Sequence, residues 1–255
     1  MKIEIVLKML SNKLIYLAYK KAEPTGTWHV IGILSFDNDS EEYNFKYTRG
    51  ALSESFKPFN GMDDLYQEYR SKELYPLFQN RILYEKRPEY KQFIKWLGLE
   101  QGANPIDILA LSGGRRITDS LQTFGNVKVN SDKTFSHSFF MHGLSHLDDH
   151  QIEKIAQLSQ GEKLYLFLDK QNEYDPYAVG IRTSDPKNFI GFCPRYLSKI
   201  VSKLMENDAN SLRLEVEILN NEAPLEYRLK CKLMGKIPDN KNIAFHIDDE
   251  FLPII

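Results

Sequence analysis

The 255 residues hold 33 Lys and Arg against 35 Asp and Glu, a formal net charge of -2 at pH 7, with 42% hydrophobic and 27% charged residues. This is ordinary globular composition, and the length suits one large domain or two smaller ones, of which two is the expectation. It excludes attraction of the whole molecule to phosphates, so any contact with nucleic acid has to come from a local patch and from stacking. Residues 1–10, MKIEIVLKML, lack the long apolar region and small-residue cleavage site of a signal peptide, and no run approaches about 18 apolar residues. The expectation is a cytoplasmic protein with no membrane partner.

Three β-rich runs open the chain: Leu14 to Lys20, Trp28 to Phe36 and Glu42 to Thr48. They read as an antiparallel meander, broken by Pro24, Thr25 and Gly26 and then by Asp37 to Ser40. Tyr43, Phe45 and Tyr47 alternate along the third run and are assigned to a core rather than to a stacking platform. After an irregular stretch from Ala51 to Asp64, the apolar period turns helical. Three short helices are predicted: Leu74 to Leu83, Pro88 to Gly98, and one announced by Asn104 and Pro105 and closed by Gly113 and Gly114. The segment Leu111 to Arg116 has the glycines and arginines of an anion loop. It lacks a phosphate-loop motif and a preceding strand, so it reads as a helix C-terminus with two exposed arginines.

Residues Thr118 to Lys133 are polar and turn-rich, and the predicted domain boundary falls there, giving units 1–130 and 131–255. The second unit reads strand (Phe135 to Leu144), helix (Asp148 to Leu158), three strands (Lys163 to Asp169, Ala178 to Thr183, Phe189 to Cys193), helix (Pro194 to Glu206) and two strands (Leu212 to Leu219, Tyr227 to Gly235). The fold class is therefore α+β: an N-terminal antiparallel sheet with short helices, then a barrel-like unit with two helices. The tail, residues 243–255, reads as a strap packed on one of the two units.

Between two of those strands lies the most informative cluster, Asn172, Tyr174 and Asp175. Together these residues can offer an amide, an aromatic face and a carboxylate to one ligand. Asn and Asp also cap turns through bonds to their own backbone, so a plain sheet turn is the competing reading.

The second unit resembles a HIRAN domain, a module of helicase-like DNA repair ATPases and of stand-alone bacterial proteins. The resemblance rests on His142-Gly143-Leu144, Gly161 to Leu166, Asn172 to Val179 and Ile190 to Arg195, in that order, and covers roughly residues 135 to 235. It implies an OB-like β-barrel that holds the 3′ end of single-stranded DNA. Asn172, Tyr174 and Asp175 match the ligand-contacting corner of that family. Where DNA-binding members carry a basic residue and aromatics after the Gly-Leu pair, this chain has Ser145, His146 and Leu147, which removes a phosphate partner and a stacking surface. Ser145, His146 and Arg195 join the corner as candidate nucleic-acid contacts.

Residues 28 to 120 resemble, more faintly, the N-terminal subdomain of HipA-type kinases, through Val30 to Leu34, Tyr43-x-Phe45-x-Tyr47, Leu74 to Arg81 and Pro105 to Arg116. That resemblance implies a HipA-like kinase as a protein partner, in the manner of a toxin-antitoxin system.

No phosphoryl-transfer loop, β3-type lysine or GxSxG elbow can be placed. His137, His142, His146 and His150 do not share a helix face, because Gly143 interrupts them, so no catalytic residue and no metal site is assigned. Cys193 and Cys231 lie in β-like runs, with no CxxC, and read as small buried hydrophobes. No cofactor is expected. The sequence reads as a non-enzymatic bacterial accessory protein that binds a single-stranded DNA end. The alternative is an antitoxin-like interaction subunit whose barrel has lost DNA binding.

Overall fold

The structure, a computed structural model, describes residues 13–20, 28–239, 245–246 and 248–255. The chain divides into two compact units, Met1–Asn126 with His246–Ile255, and Val127–Phe245. Residues 1–10 and the Pro24 to Gly26 break lie outside the described residues.

In the first unit, β1 (Lys13–Lys20), β2 (Trp28–Asp37), β3 (Glu42–Tyr47), β4 (Tyr69–Ser71) and β5 (Leu121–Gly125) form an antiparallel sheet in the order β4-β3-β2-β1-β5. β3 alternates as its sequence requires: Tyr43, Phe45 and Tyr47 are buried in the core with Leu17, Ile31 and Phe78. β1 lies between two partners and is buried from Leu14 to Ala18, which explains its unbroken apolar run.

The helices are α1 (Pro76–Gln79), α2 (Tyr90–Leu97) and α3 (Pro105–Ser112). α2 ends at Gly98, whose φ of 70° is the left-handed conformation glycine adopts without penalty. α3 starts at Asn104, whose side chain accepts from the Ile106 amide at 2.8 Å.

Two expectations need correction in this unit. α1 spans four residues rather than ten, because the chain leaves the helix to bring Arg81 inward: its guanidinium donates to the Gly114 carbonyl at 2.9 Å and pairs with Asp119 at 2.5 Å. Burial of Asp119 pushes its pKa up, but the Arg81 hydrogen bond, the Leu121 amide and the charges of Arg81 and Arg116 together outweigh this and hold the carboxyl below its ordinary value. The region after Thr118 is not all turn, since it contains β5. The strand is buried throughout despite Gln122 and Thr123, because both are satisfied: the Thr123 hydroxyl donates to the Leu109 carbonyl at 2.7 Å and its amide to the Gly113 carbonyl at 2.8 Å, while Arg115 donates to the Gln122 side-chain oxygen at 3.1 Å. The Gly113-Gly114 segment is thus a helix C-terminus, as its lack of a phosphate-loop motif suggests.

Of the predicted strap, Phe245 packs against Phe135 in the core of the second unit, and His246 with residues 248–255 packs on the first. The Ile254 amide donates to the Tyr47 carbonyl at 3.0 Å and the Arg49 amide to the Leu252 carbonyl at 2.9 Å. Arg49 also pairs with Asp249, and Phe251 packs against Tyr16, Phe124 and His246.

The second unit comprises β6 (Thr134–Phe140), α4 (Asp149–Ala156), β7 (Lys163–Leu168), β8 (Val179–Arg182), β9 (Phe189–Phe192), α5 (Arg195–Asp208), β10 (Leu212–Leu219) and β11 (Leu229–Lys236). Its six strands form one antiparallel sheet in the order β6-β11-β10-β7-β8-β9, curled into a half-barrel. Just beyond β6, His142 and Phe192 exchange backbone hydrogen bonds of 3.0 and 2.9 Å, so the two edges of the sheet meet at one bridge. Gly191 makes that approach possible: at φ 140° it lies where a Cβ would come within 2.8 Å of the His142 carbonyl oxygen and of Met141.

α5 turns Leu197, Val201 and Leu204, at i, i+4 and i+7, into the core formed by Leu164, Val179, Ile181, Val216 and Leu233. α4 is fixed by a capping box between Asp148 and Gln151. Cys193 and Cys231 are buried in this core and free, and burial pushes both thiols up.

Candidate nucleic-acid interface

The loop between β7 and β8 is tied off at its base, where the Asp169 amide donates to the Ala178 carbonyl at 3.0 Å. Inside it, Asn172 acts as a hub. Its side-chain oxygen accepts from the Tyr174 amide at 3.1 Å and the Asp175 amide at 3.0 Å, while its Nδ2 donates to Asp169 at 3.1 Å. Asp175 in turn accepts from the Tyr177 amide at 2.9 Å. Asn172 and Asp175 thus build the turn that the simpler reading of the corner describes. The consequence lies with their neighbour: Tyr174 stands out from this braced loop with 83% of its surface exposed.

The sheet carries the other candidates to the same end of the β8–β9 pair. The Cys193 amide donates to the Val179 carbonyl at 2.9 Å, which sets the exit of β9 beside the entry of β8. Arg195, exposed, is the first residue of α5, two positions after Cys193. His142 lies across Phe192, and Gly143, at φ 83°, turns the chain into a single 3₁₀ turn, Leu144–His146, that presents Ser145 and His146 to solvent. All six sequence candidates therefore lie on segments issuing from one rim of the half-barrel. Tyr177 belongs there too: it is 41% exposed, with the Lys199 ammonium 6.0 Å from its ring. Its signal in the sequence is a second aromatic two residues beyond Asp175.

Among the described residues, no group of three or more His, Cys, Asp or Glu is placed to hold a metal. His137 is remote from such a role, since its Nε2 meets the Tyr196 hydroxyl at 3.0 Å and burial pushes its pKa down to about 4. The rim offers aromatic faces, one guanidinium, an imidazole, a carboxylate, an amide and hydroxyls. Among the described residues no helix is long and apolar enough to cross a membrane.

Comparison with known families falls on this same unit. Residues 134–238 match the HIRAN domain. The HIRAN region thus begins at β6 and ends just past β11, and contains every rim segment described above. Two solved structures are similar to the chain. A protein from Lactobacillus plantarum is 19% identical over 40% of this chain and 98% of its own, with a TM-score of 0.30. The HIRAN domain of human HLTF is 18% identical over 40% of this chain and 76% of its own, with a TM-score of 0.32. Among curated proteins, none matches the sequence. The HIRAN match leaves residues 28–120 uncovered, so the likeness to HipA-type kinases there stands on its sequence motifs alone.

Proposed function

We propose that the HIRAN region binds single-stranded DNA at a 3′ end through the rim that carries Tyr174. The observation behind this reading is the exposure of Tyr174 on a loop whose own side chains brace it. An aromatic ring left in water yet held in place by four hydrogen bonds around Asn172 and Asp175 is ready to stack on a base with little ordering cost. Arg195 supplies a phosphate contact, and His146 stacks or hydrogen-bonds where other members of the family place aromatics. Asn172 acts by positioning Tyr174 and Asp175. The protein works by binding, without catalysis of its own. Partnership of the first unit with a HipA-like kinase in a toxin-antitoxin system rests on sequence resemblance, and co-purification of the two proteins tests it.

The test of the DNA reading is titration of short labelled single-stranded DNA, with free or phosphorylated 3′ ends, at low and physiological salt. Binding that prefers the free end is expected. Tyr174→Ala should weaken it by about 1–3 kcal/mol, roughly 5- to 150-fold, the value of one stacked base. Wild-type protein that binds neither oligonucleotide tighter than millimolar would leave the unit as a protein-interaction module. Full affinity in Tyr174→Ala would move the site off this rim.

A further inference from the structure

Outside the rim, the face of the sheet turned away from the core carries a second arrangement. Along β7, Leu164, Leu166 and Leu168 turn to the core, so Lys163, Tyr165 and Phe167 project from the opposite face. Along β8, Val179 and Ile181 are core residues, which puts Gly180 and Arg182 on that same face. The register sets Tyr165 opposite Arg182. The Lys163 ammonium and the Arg182 guanidinium each lie 4.8 Å from the centre of the Tyr165 ring. A hydrogen bond from Ser184, followed by the charge of Lys163, holds the Tyr165 phenol below its ordinary pKa. Two cations and two hydroxyls thus surround one partly exposed ring.

The surrounding charge favours an anion. β10 and β11 add Arg213, Lys230 and Lys232 to the outer face, against Glu215 and Glu217; Glu215 pairs with Arg213 at 3.1 Å and Glu217 with Lys230 at 3.7 Å. Lys230 is buried against its partner Glu217, which leaves Lys163, Arg182, Arg213 and Lys232 against Glu215 on the accessible face, a local positive patch in a chain whose net charge is -2. Asp185, beside Ser184, is the nearby acid in the β8–β9 loop, and Lys187 follows it. Towards the rim, the Phe167 ring lies over Gly180, where a Cβ would come within 2.2 Å of it, and Phe189 packs edge-on against Phe167 and Phe192.

We propose that Lys163, Tyr165, Arg182 and Ser184 form a phosphate subsite for the same nucleic-acid strand whose end meets the rim. This rests on the DNA reading above and extends it. Tyr165 stands three residues before the strand end at Leu168, about 10 Å along the sheet, with Phe167 between. A strand leaving the rim therefore crosses an aromatic surface and then meets paired cations, the alternation of base and phosphate that single-strand binding uses.

The experiment compares the full chain with Lys163→Gln/Arg182→Gln and with the charge-keeping Lys163→Arg/Arg182→Lys, using a fluorescein-labelled dithymidylate and a dodecathymidylate, both with free 3′ ends. In the Gln variant the long probe should weaken about tenfold, and the slope of log affinity against log salt should fall by about 0.7 for each phosphate that the protein ceases to neutralise. The short probe should be unaffected, and the charge-keeping variant should restore the long one. All these side chains are at the surface, so an unchanged thermal midpoint is expected to confirm folding. An unaltered long-probe affinity, or equal loss for both lengths, overturns the subsite while leaving the rim in place. Wild-type protein that binds neither probe overturns the rim reading and the subsite together.

Discussion

Asn172 uses both ends of its amide within its own loop, and this division of labour governs what single substitutions at the rim can do. Tyr174 is the side chain left exposed, and Asn172 decides where it stands. A different residue contributes to how the unit responds to acid. Burial pushes His137 down to about 4, below the roughly 6.5 of an unfolded histidine. Above pH 6.5 both states are neutral and the group contributes no pH dependence. As pH falls from about 6.5 towards 4 the unfolded chain takes up a proton that the folded one does not, so stability falls, by up to about 1.4 kcal/mol per pH unit, and below 4 this loss is complete. His137→Phe should remove that part of the acid sensitivity, read as a smaller drop in urea midpoint between pH 7 and pH 5. An unchanged drop would place the acid sensitivity in other groups.

Among the elements, those with a regular apolar period could be read directly, and those held by distant partners could not. β3 alternates, α2 and α3 carry their caps in sequence, and β10 keeps its predicted bounds. β5 was hidden because Gln122 and Thr123 interrupt its apolar pattern, and their hydrogen bonds come from Arg115, just beyond α3, and from Leu109 within it. The C-terminal strap is of the same kind, since nothing in residues 248–255 names Tyr47 as its backbone partner. Phe251, half-buried against Tyr16 and Phe124, ties that strap down. Phe251→Ala should therefore lower the stability of the first unit by about 1–3 kcal/mol, seen in its urea transition, with DNA binding intact. An unchanged midpoint would show that the strap adds nothing to the fold.

For the whole molecule, charge sets the expectation. A net charge of -2 gives no long-range pull towards a polyanion, so the proposed DNA contact depends on local groups at the rim and on the outer face of the half-barrel. Duplex DNA without ends should then be a poor competitor for a labelled single-stranded probe, even at low salt. Displacement by an equal nucleotide concentration of closed circular duplex would show that charge, rather than stacking, dominates.

The sequence alone determined what depends on local pattern: the two-part α+β organisation, most strands and helix caps, the HIRAN resemblance, and the cluster Asn172, Tyr174, Asp175. Tertiary structure decided what depends on residues far apart in the chain. It bridged His142 to Phe192 over Gly191, bringing Ser145, His146 and Arg195 to the rim of the β7–β8 loop. It set both Lys163 and Arg182 against the Tyr165 ring. The physical reason is that capping and amphipathic period act over a few residues, whereas strand register and hydrogen-bond satisfaction act between segments that only the closed sheet makes neighbours.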